Sequence, residues 1–236
     1  MSFTEIKKTS LELIKGHWGK LVIITLLYFI VSFLISIIPI VGFIFSFIFS
    51  TPITYGYLNS LIKLTKNEEV EIFDFLIDGF KSTIKVWKVI GSIFLRLFIP
   101  ILILFGFALL VTYYTLPILE AVMTNNFSLN IEISPFISIG LLGYFITAIY
   151  ITYKFLIFFP CLFLVIDNPN EKTNFIVKKS KEIMKGHIFK LILFILSFIG
   201  WIILSVITLG IGFLFLIPYC SIATYLFYQK LIPEKL

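Results

Sequence analysis

The chain has two histidines, and each follows Lys-Gly: Lys15-Gly16-His17 and Lys185-Gly186-His187. Imidazole titrates near neutral pH, so a matched pair of this kind could bind an anionic lipid headgroup or sense pH. Each triplet also stands where a charged stretch meets an apolar one. That is the place for a glycine that stops a helix and lets the chain turn into a membrane, and the same position in two copies is explained by that role alone. Neither histidine has an acidic or cysteine neighbour of metal-ligand spacing, so no metal is expected. Arg96 and Lys154 are the basic residues furthest inside apolar runs. A charge within a membrane is a functional candidate by default, but both lie near span ends, where a long side chain can snorkel to water. No Asp or Glu lies deep in an apolar run, which weighs against ion-coupled transport. Thr54 and Tyr55, and their counterparts Thr224 and Tyr225, belong to polar faces that would either line a cavity or bond helices to each other. Cys161 and Cys220 show no metal or disulfide pattern. With no phosphate-cradling glycine loop and no nucleophile–base pair, neither an enzymatic activity nor a cofactor is expected.

These residues need elements to hold them, and composition says what kind. Of 236 residues, 59% are hydrophobic and only 14% charged. Soluble domains carry roughly 25% charged residues, so this much Ile, Leu and Phe requires lipid as its solvent. The net charge of +6 raises the question of nucleic acid, but the lysines sit in short clusters beside apolar runs, which is the pattern of cytoplasmic loops rather than of a nucleic-acid surface. No nucleic-acid partner is expected. The N-terminus has no apolar core with a small-residue cleavage site, so no cleaved signal peptide is expected.

Adding 170 to Ser10, Glu12, Lys15, Gly16, His17, Lys20 and Leu21 gives Ser180, Glu182, Lys185, Gly186, His187, Lys190 and Leu191, and Gly42, Phe43, Thr54 and Tyr55 fall on Gly212, Phe213, Thr224 and Tyr225. Each copy reads as an amphipathic surface helix, a glycine stop and a transmembrane hairpin. Apolar runs predict spans over 18–38, 42–64, 92–115, 136–159 and two after His187, with turns at 39–42, 116–135 and 208–212. Pro52 and Gly56 are expected to kink the second span, a second surface helix over roughly 72–88 to end or bend near Gly79 or Gly91, and the 136–166 run to tilt, kink at Pro160 or lay its last turn along the membrane. Gly42 and Gly212 are expected to permit tight turns. Lysines precede span one, fill the connections between spans two and three and between four and five, and follow span six; the other connections have none. Both termini are therefore expected in the cytoplasm. The expected architecture is all-α: a polytopic membrane protein with six transmembrane helices, three amphipathic interfacial helices and two parallel hairpin repeats. It forms one membrane domain over 1–236, with repeat 1 at about 2–64, a middle helix pair at about 72–166 and repeat 2 at about 171–232.

The basic helix ending Lys185-Gly186-His187, the run Leu196-Ser197-Phe198-Ile199-Gly200-Trp201 and Thr208-Leu209-Gly210-Ile211-Gly212 ahead of Pro218-Tyr219 resemble the signature end of an uncharacterised bacterial membrane-protein family, domain of unknown function 975. The stretch DFLIDGF at 74–80 and the Asp167-Asn168-Pro169 turn fit it too. The resemblance covers nearly the whole chain. It implies a multi-pass protein of the cytoplasmic membrane of Gram-positive bacteria and carries no reaction, substrate or catalytic residue. The expected role is a non-enzymatic envelope protein that binds anionic lipids or a membrane-protein partner. Two rivals are a small-solute permease using the polar faces of spans two and six, and an accessory or scaffold subunit of a membrane complex.

Overall fold

A computed structural model describes residues 2–37, 41–124 and 135–232, with backbone alone at 41–47 and 121–122. Among the described residues the chain is helical, with no strand. The elements are α1 (Phe3–Ile14), α2 (Trp18–Ile37), α3 (Val41–Thr65), α4 (Asp74–Met123), α5 (Pro135–Phe158), α6 (Cys161–Asp167), α7 (Thr173–Met184), α8 (Ile188–Leu196), α9 (Ile199–Ile207) and α10 (Phe213–Leu231). Four helical stretches are long and apolar enough to cross a membrane: Trp18–Ile37, Asp74–Glu120, Pro135–Asp167 and Ile188–Ile207. Neither α3 nor α10 is among them. In α10 the reason is visible in the sequence, since Tyr219, Ser221, Thr224, Tyr225, Tyr228, Gln229 and Lys230 dilute its apolar residues.

The chain divides into two compact units, Met1–Ile90 with Phe159–Leu236, and Gly91–Phe158. In the first, α10 is central. It buries Leu216, Tyr219, Ile222, Ala223, Phe227 and Tyr228 and packs against α1, α2, α3 and α9. A helix surrounded by protein needs no lipid-facing apolar surface, which is why α10 tolerates so many polar residues. The second unit is a helical hairpin. Tyr114 stacks on Phe136 at 5.5 Å, and Phe107 fills the space above Gly143, where a Cβ would stand 2.4 Å from the ring.

Local chemistry explains the helix ends. Ser2 and Glu5 form a reciprocal capping box at the start of α1, which satisfies two amide groups that a helix leaves unpaired. Gly16 and Gly186 have φ of +93° and +79°, and the backbone bonds around them match: His17 N to Ile14 O at 2.9 Å and His187 N to Met184 O at 3.0 Å. The left-handed residue ends each helix as expected. The 136–166 run breaks at Pro160, the residue preceding α6. Pro cannot donate to the preceding turn.

Several expectations differ from the structure. The surface helix expected near 72–88 is the first part of α4, which runs unbroken through Gly79, Gly91, Pro100 and Pro117 to Met123. Gly79 does not end the helix and serves packing: a Cβ there would stand 2.7 Å from Pro52 O, and one on Gly56 would stand 1.9 Å from Phe75 O. The backbones of α3 and α4 meet glycine to glycine. Pro52 does not end α3 either. The single apolar run after His187 is divided at Ser197–Phe198 into α8 and α9. In the 208–212 turn, Leu209 and Gly210 take positive φ, whereas Gly212 is needed because a Cβ there would lie 2.7 Å from Ser205 Cα. Of the turns expected at 39–42 and 116–135, residues 39–40 and 125–134 lie outside the described residues; 41–42, with Gly42, already belong to α3, and 116–123 continue α4 instead of turning.

Candidate membrane-interface site

Amphipathic helix α1 was expected to rest its apolar face on lipid. Protein covers that face. Ile6, Ser10 and Ile14 are buried, and Phe3 meets Phe194 at 5.5 Å and Phe227 at 6.5 Å. Lys7 Nζ donates to Ser197 O at 2.7 Å and lies 4.2 Å from the centre of the Phe198 ring. Ser197 and Phe198 are the residues that separate α8 from α9, so a lysine from the first helix binds where the last hairpin is interrupted. Burial lowers the Lys7 pKa, the usual cost of drawing an ammonium under protein.

The two Lys-Gly-His triplets share backbone geometry but use their rings differently. His17 Nε2 lies 3.2 Å from Asn67 Oδ1 and ties the start of α2 to the turn after α3. His187 Nδ1 lies 3.1 Å from its own helix at Ile183 O. Lys15 and Lys185 supply the backbone amides that close α1 and α7. Arg96 stands exposed on α4, and Lys154 Nζ lies 5.2 Å from the Tyr150 ring.

The polar faces are engaged in helix–helix contacts. Thr54 Oγ1 donates to Ser50 O at 2.8 Å and lies 3.1 Å from Tyr28 OH. Thr25 and Tyr57 pair at 2.9 Å one turn away. Tyr55 is buried. Next to it, Asp78 Oδ2 accepts from Asn59 and from Lys63, each at 2.7 Å. In α10, Thr224 bonds Cys220 O, and Tyr225 donates to Asp167 Oδ1 at 2.8 Å while accepting from Gln229 Nε2 at 2.6 Å. The carboxylates are served differently: Asp78 by the Asn59 amide of α3, and Asp167 by the Tyr225 phenol of α10, which Gln229 in turn supports. Asp78 and Asp167 belong to segments that the sequence marks, but their partners are not legible there, because their spacing from Asn59 and Tyr225 carries no local signal.

Two concavities stand out. One, of about 310 Å³, is apolar and lined by Leu11, Trp18, Trp201, Leu204, Phe215 and Tyr219, among others. Two of its hydroxyls are spent on backbone: Ser205 on Trp201 O at 2.8 Å, and Thr208 on Ser205 O at 2.9 Å. The other, of about 580 Å³, lies between the first part of α4 and the turn before α7. Lys81, Lys85, Lys88 and Lys172 line it with Glu171. Lys85 Nζ is committed to the carbonyls of Asn168, at 3.1 Å, and Pro169, which end α6.

The family model described as protein of unknown function (DUF975) matches residues 1–235. This chain belongs to the DUF975 family. No curated protein and no solved structure matches it. In this DUF975 protein the signature segments named above have structural work. The Leu196–Trp201 run contains the α8–α9 interruption that Lys7 binds, DFLIDGF supplies Asp78 and Gly79 to the α3–α4 contact, and Asp167-Asn168-Pro169 receives Tyr225 and Lys85.

Proposed function

We propose that this DUF975 protein is a multi-pass protein of the bacterial cytoplasmic membrane, with both termini in the cytoplasm, that binds anionic lipid and catalyses no reaction. In this reading α3 and α10 complete six spans as the interior members of two parallel repeats. The observation that carries it lies on the start of α4 and the turn before it. Phe73, Ile77, Phe80 and Ile84 follow one another at helical spacing and are 59%, 46%, 53% and 73% exposed, and Lys81 and Lys88 flank them. An apolar stripe edged by lysines suits hydrocarbon meeting anionic headgroups.

Single cysteines at positions 66 and 178, in a chain whose native cysteines are replaced, test the orientation. Both residues are exposed. A membrane-impermeant maleimide added to intact cells is expected to label neither until the membrane is permeabilised; labelling from outside would overturn the topology. For lipid binding, purified protein is expected to retain phosphatidylglycerol over phosphatidylcholine, and equal retention would overturn that half of the proposal. The permease reading has less support, because Thr54, Tyr55, Thr224 and Tyr225 are used in contacts within the helical bundle. Solute flux in vesicles that depends on Thr54 and Tyr55 would restore it.

A further inference from the structure

The basic cleft brings together residues nearly a hundred positions apart. Four ammonium groups and one carboxylate line it, an excess of three positive charges. Lys85 is held by backbone carbonyls, but Lys81, Lys88 and Lys172 are exposed and, among the described residues, their ammonium groups have no hydrogen bond or ion pair. The first turn of α7 borders the same cleft with Thr173 and Asn174. It contains no acidic residue, and no side chain caps it. Three like charges at one opening repel one another unless an anion sits among them. Ile84 lines the cleft and also ends the exposed apolar stripe of α4, so an anion held here lies beside a surface suited to hydrocarbon.

We propose that this cleft is a discrete binding site for a phosphate group carried on a lipid, with Lys81, Lys88 and Lys172 contacting the phosphate oxygens and the Phe73–Ile84 stripe receiving the acyl chains. The inference rests on the lipid-binding reading and sharpens it from a diffuse attraction to one site. Lysine meets phosphate as a compact charge with three donors and does not require the fixed fork of arginine. Lys85 shapes the site without contacting the ligand, because its bonds to Asn168 and Pro169 hold the turn against α4.

The experiment uses the full chain in neutral detergent, titrated with dioctanoyl phosphatidylglycerol and, separately, dioctanoyl phosphatidylcholine, with binding counted by native mass spectrometry. The unaltered chain is expected to favour phosphatidylglycerol by roughly tenfold or more. The K81Q/K88Q/K172Q variant should lose that preference, and the matching Lys→Arg variant should keep it, which separates lost charge from lost fold. A control, K8Q/K66Q/K178Q, removes three exposed lysines elsewhere and should retain the preference. Equal loss in both glutamine variants would overturn the discrete site while leaving the broader lipid-binding reading in place. No preference in the unaltered chain would overturn both. Displacement of the lipid by glycerol 3-phosphate at equal concentration would overturn the assignment to a lipid and leave a soluble phosphate ester as the ligand.

Discussion

Trp87 Nε1 donates at 2.7 Å to the carbonyl of Ile48, the oxygen that Pro52 leaves without its helical partner. Proline lacks the N–H that would reach four residues back, and the indole supplies the missing donor. Trp87→Phe is therefore expected to lower stability by about 1–2 kcal/mol, read from thermal unfolding in detergent. Pro52→Ala restores an intrahelical donor, so the same tryptophan change should cost less in that background. Equal costs in the two backgrounds would show that the indole acts only by packing.

Lys7 plays a similar part for Ser197. Lys7→Met keeps most of the stem but removes the donor and the charge over Phe198. The expected cost is about 1 kcal/mol, concentrated in α1, so hydrogen exchange should quicken over residues 3–14 and change little in α3. Lys7→Arg should be milder. Unchanged exchange over α1 in the methionine variant would remove this contact from the forces that dock the helix.

The meeting of α3 and α4 leaves no room for a methyl group. Gly56→Ala would place a carbon 1.9 Å from the Phe75 carbonyl oxygen, and Gly79→Ala one 2.7 Å from the Pro52 oxygen. Backbone must move in either case, and a loss of roughly 3 kcal/mol or failure to fold is expected for Gly56→Ala. Gly91 in the same helix has open space around its Cβ position, so Gly91→Ala should be neutral or gain up to about 1 kcal/mol. Thermal unfolding of the three variants side by side checks the order.

Asp78 and Lys63 form an ion pair at 2.7 Å with both side chains partly exposed. A double-mutant cycle of Asp78→Asn with Lys63→Met should give a coupling of about 0.2–1 kcal/mol that shrinks as salt rises. Asn59 shares the same oxygen, so a coupling that ignores salt would shift the weight from charge to this amide.

Gly16 and Gly186 hold similar positive φ values with nothing within 4 Å of their Cβ positions. Strain alone should therefore set the cost of an alanine, about 1 kcal/mol at each site, and Asn should be tolerated better than Ala at both. Clearly unequal costs in thermal unfolding would mean that the two triplets differ in more than the use of their histidine rings.

Features written in neighbouring residues were legible in the sequence. The two glycine stops, the break at Pro160 and the ends of α1 and α7 depend on backbone rules that act within a turn. The apolar face of α1 was legible too, but not its partner, because amphipathic spacing shows that Ile6 and Ile14 seek cover without saying whether lipid or α10 provides it. Gly79 is ambiguous for a related reason: a glycine that ends a helix and one that lets another backbone approach look alike in sequence. The donors that mend interrupted helices, Trp87 and Lys7, lie 39 and 190 residues from the carbonyls they serve. The clefts and carboxylate contacts have the same origin, since Lys81 and Lys172, or Asp167 and Tyr225, become neighbours only when the helices pack.

The docking of α1 against α8 and α10 constrains the order of assembly. Residues 3–14 leave the ribosome well before their seat, which spans residues 188–231. Until that stretch is made, α1 must wait with Ile6 and Ile14 uncovered, and its placement joins segments nearly two hundred residues apart. A chain cut short before residue 188 would keep α2 and α3 yet leave α1 with nowhere to settle.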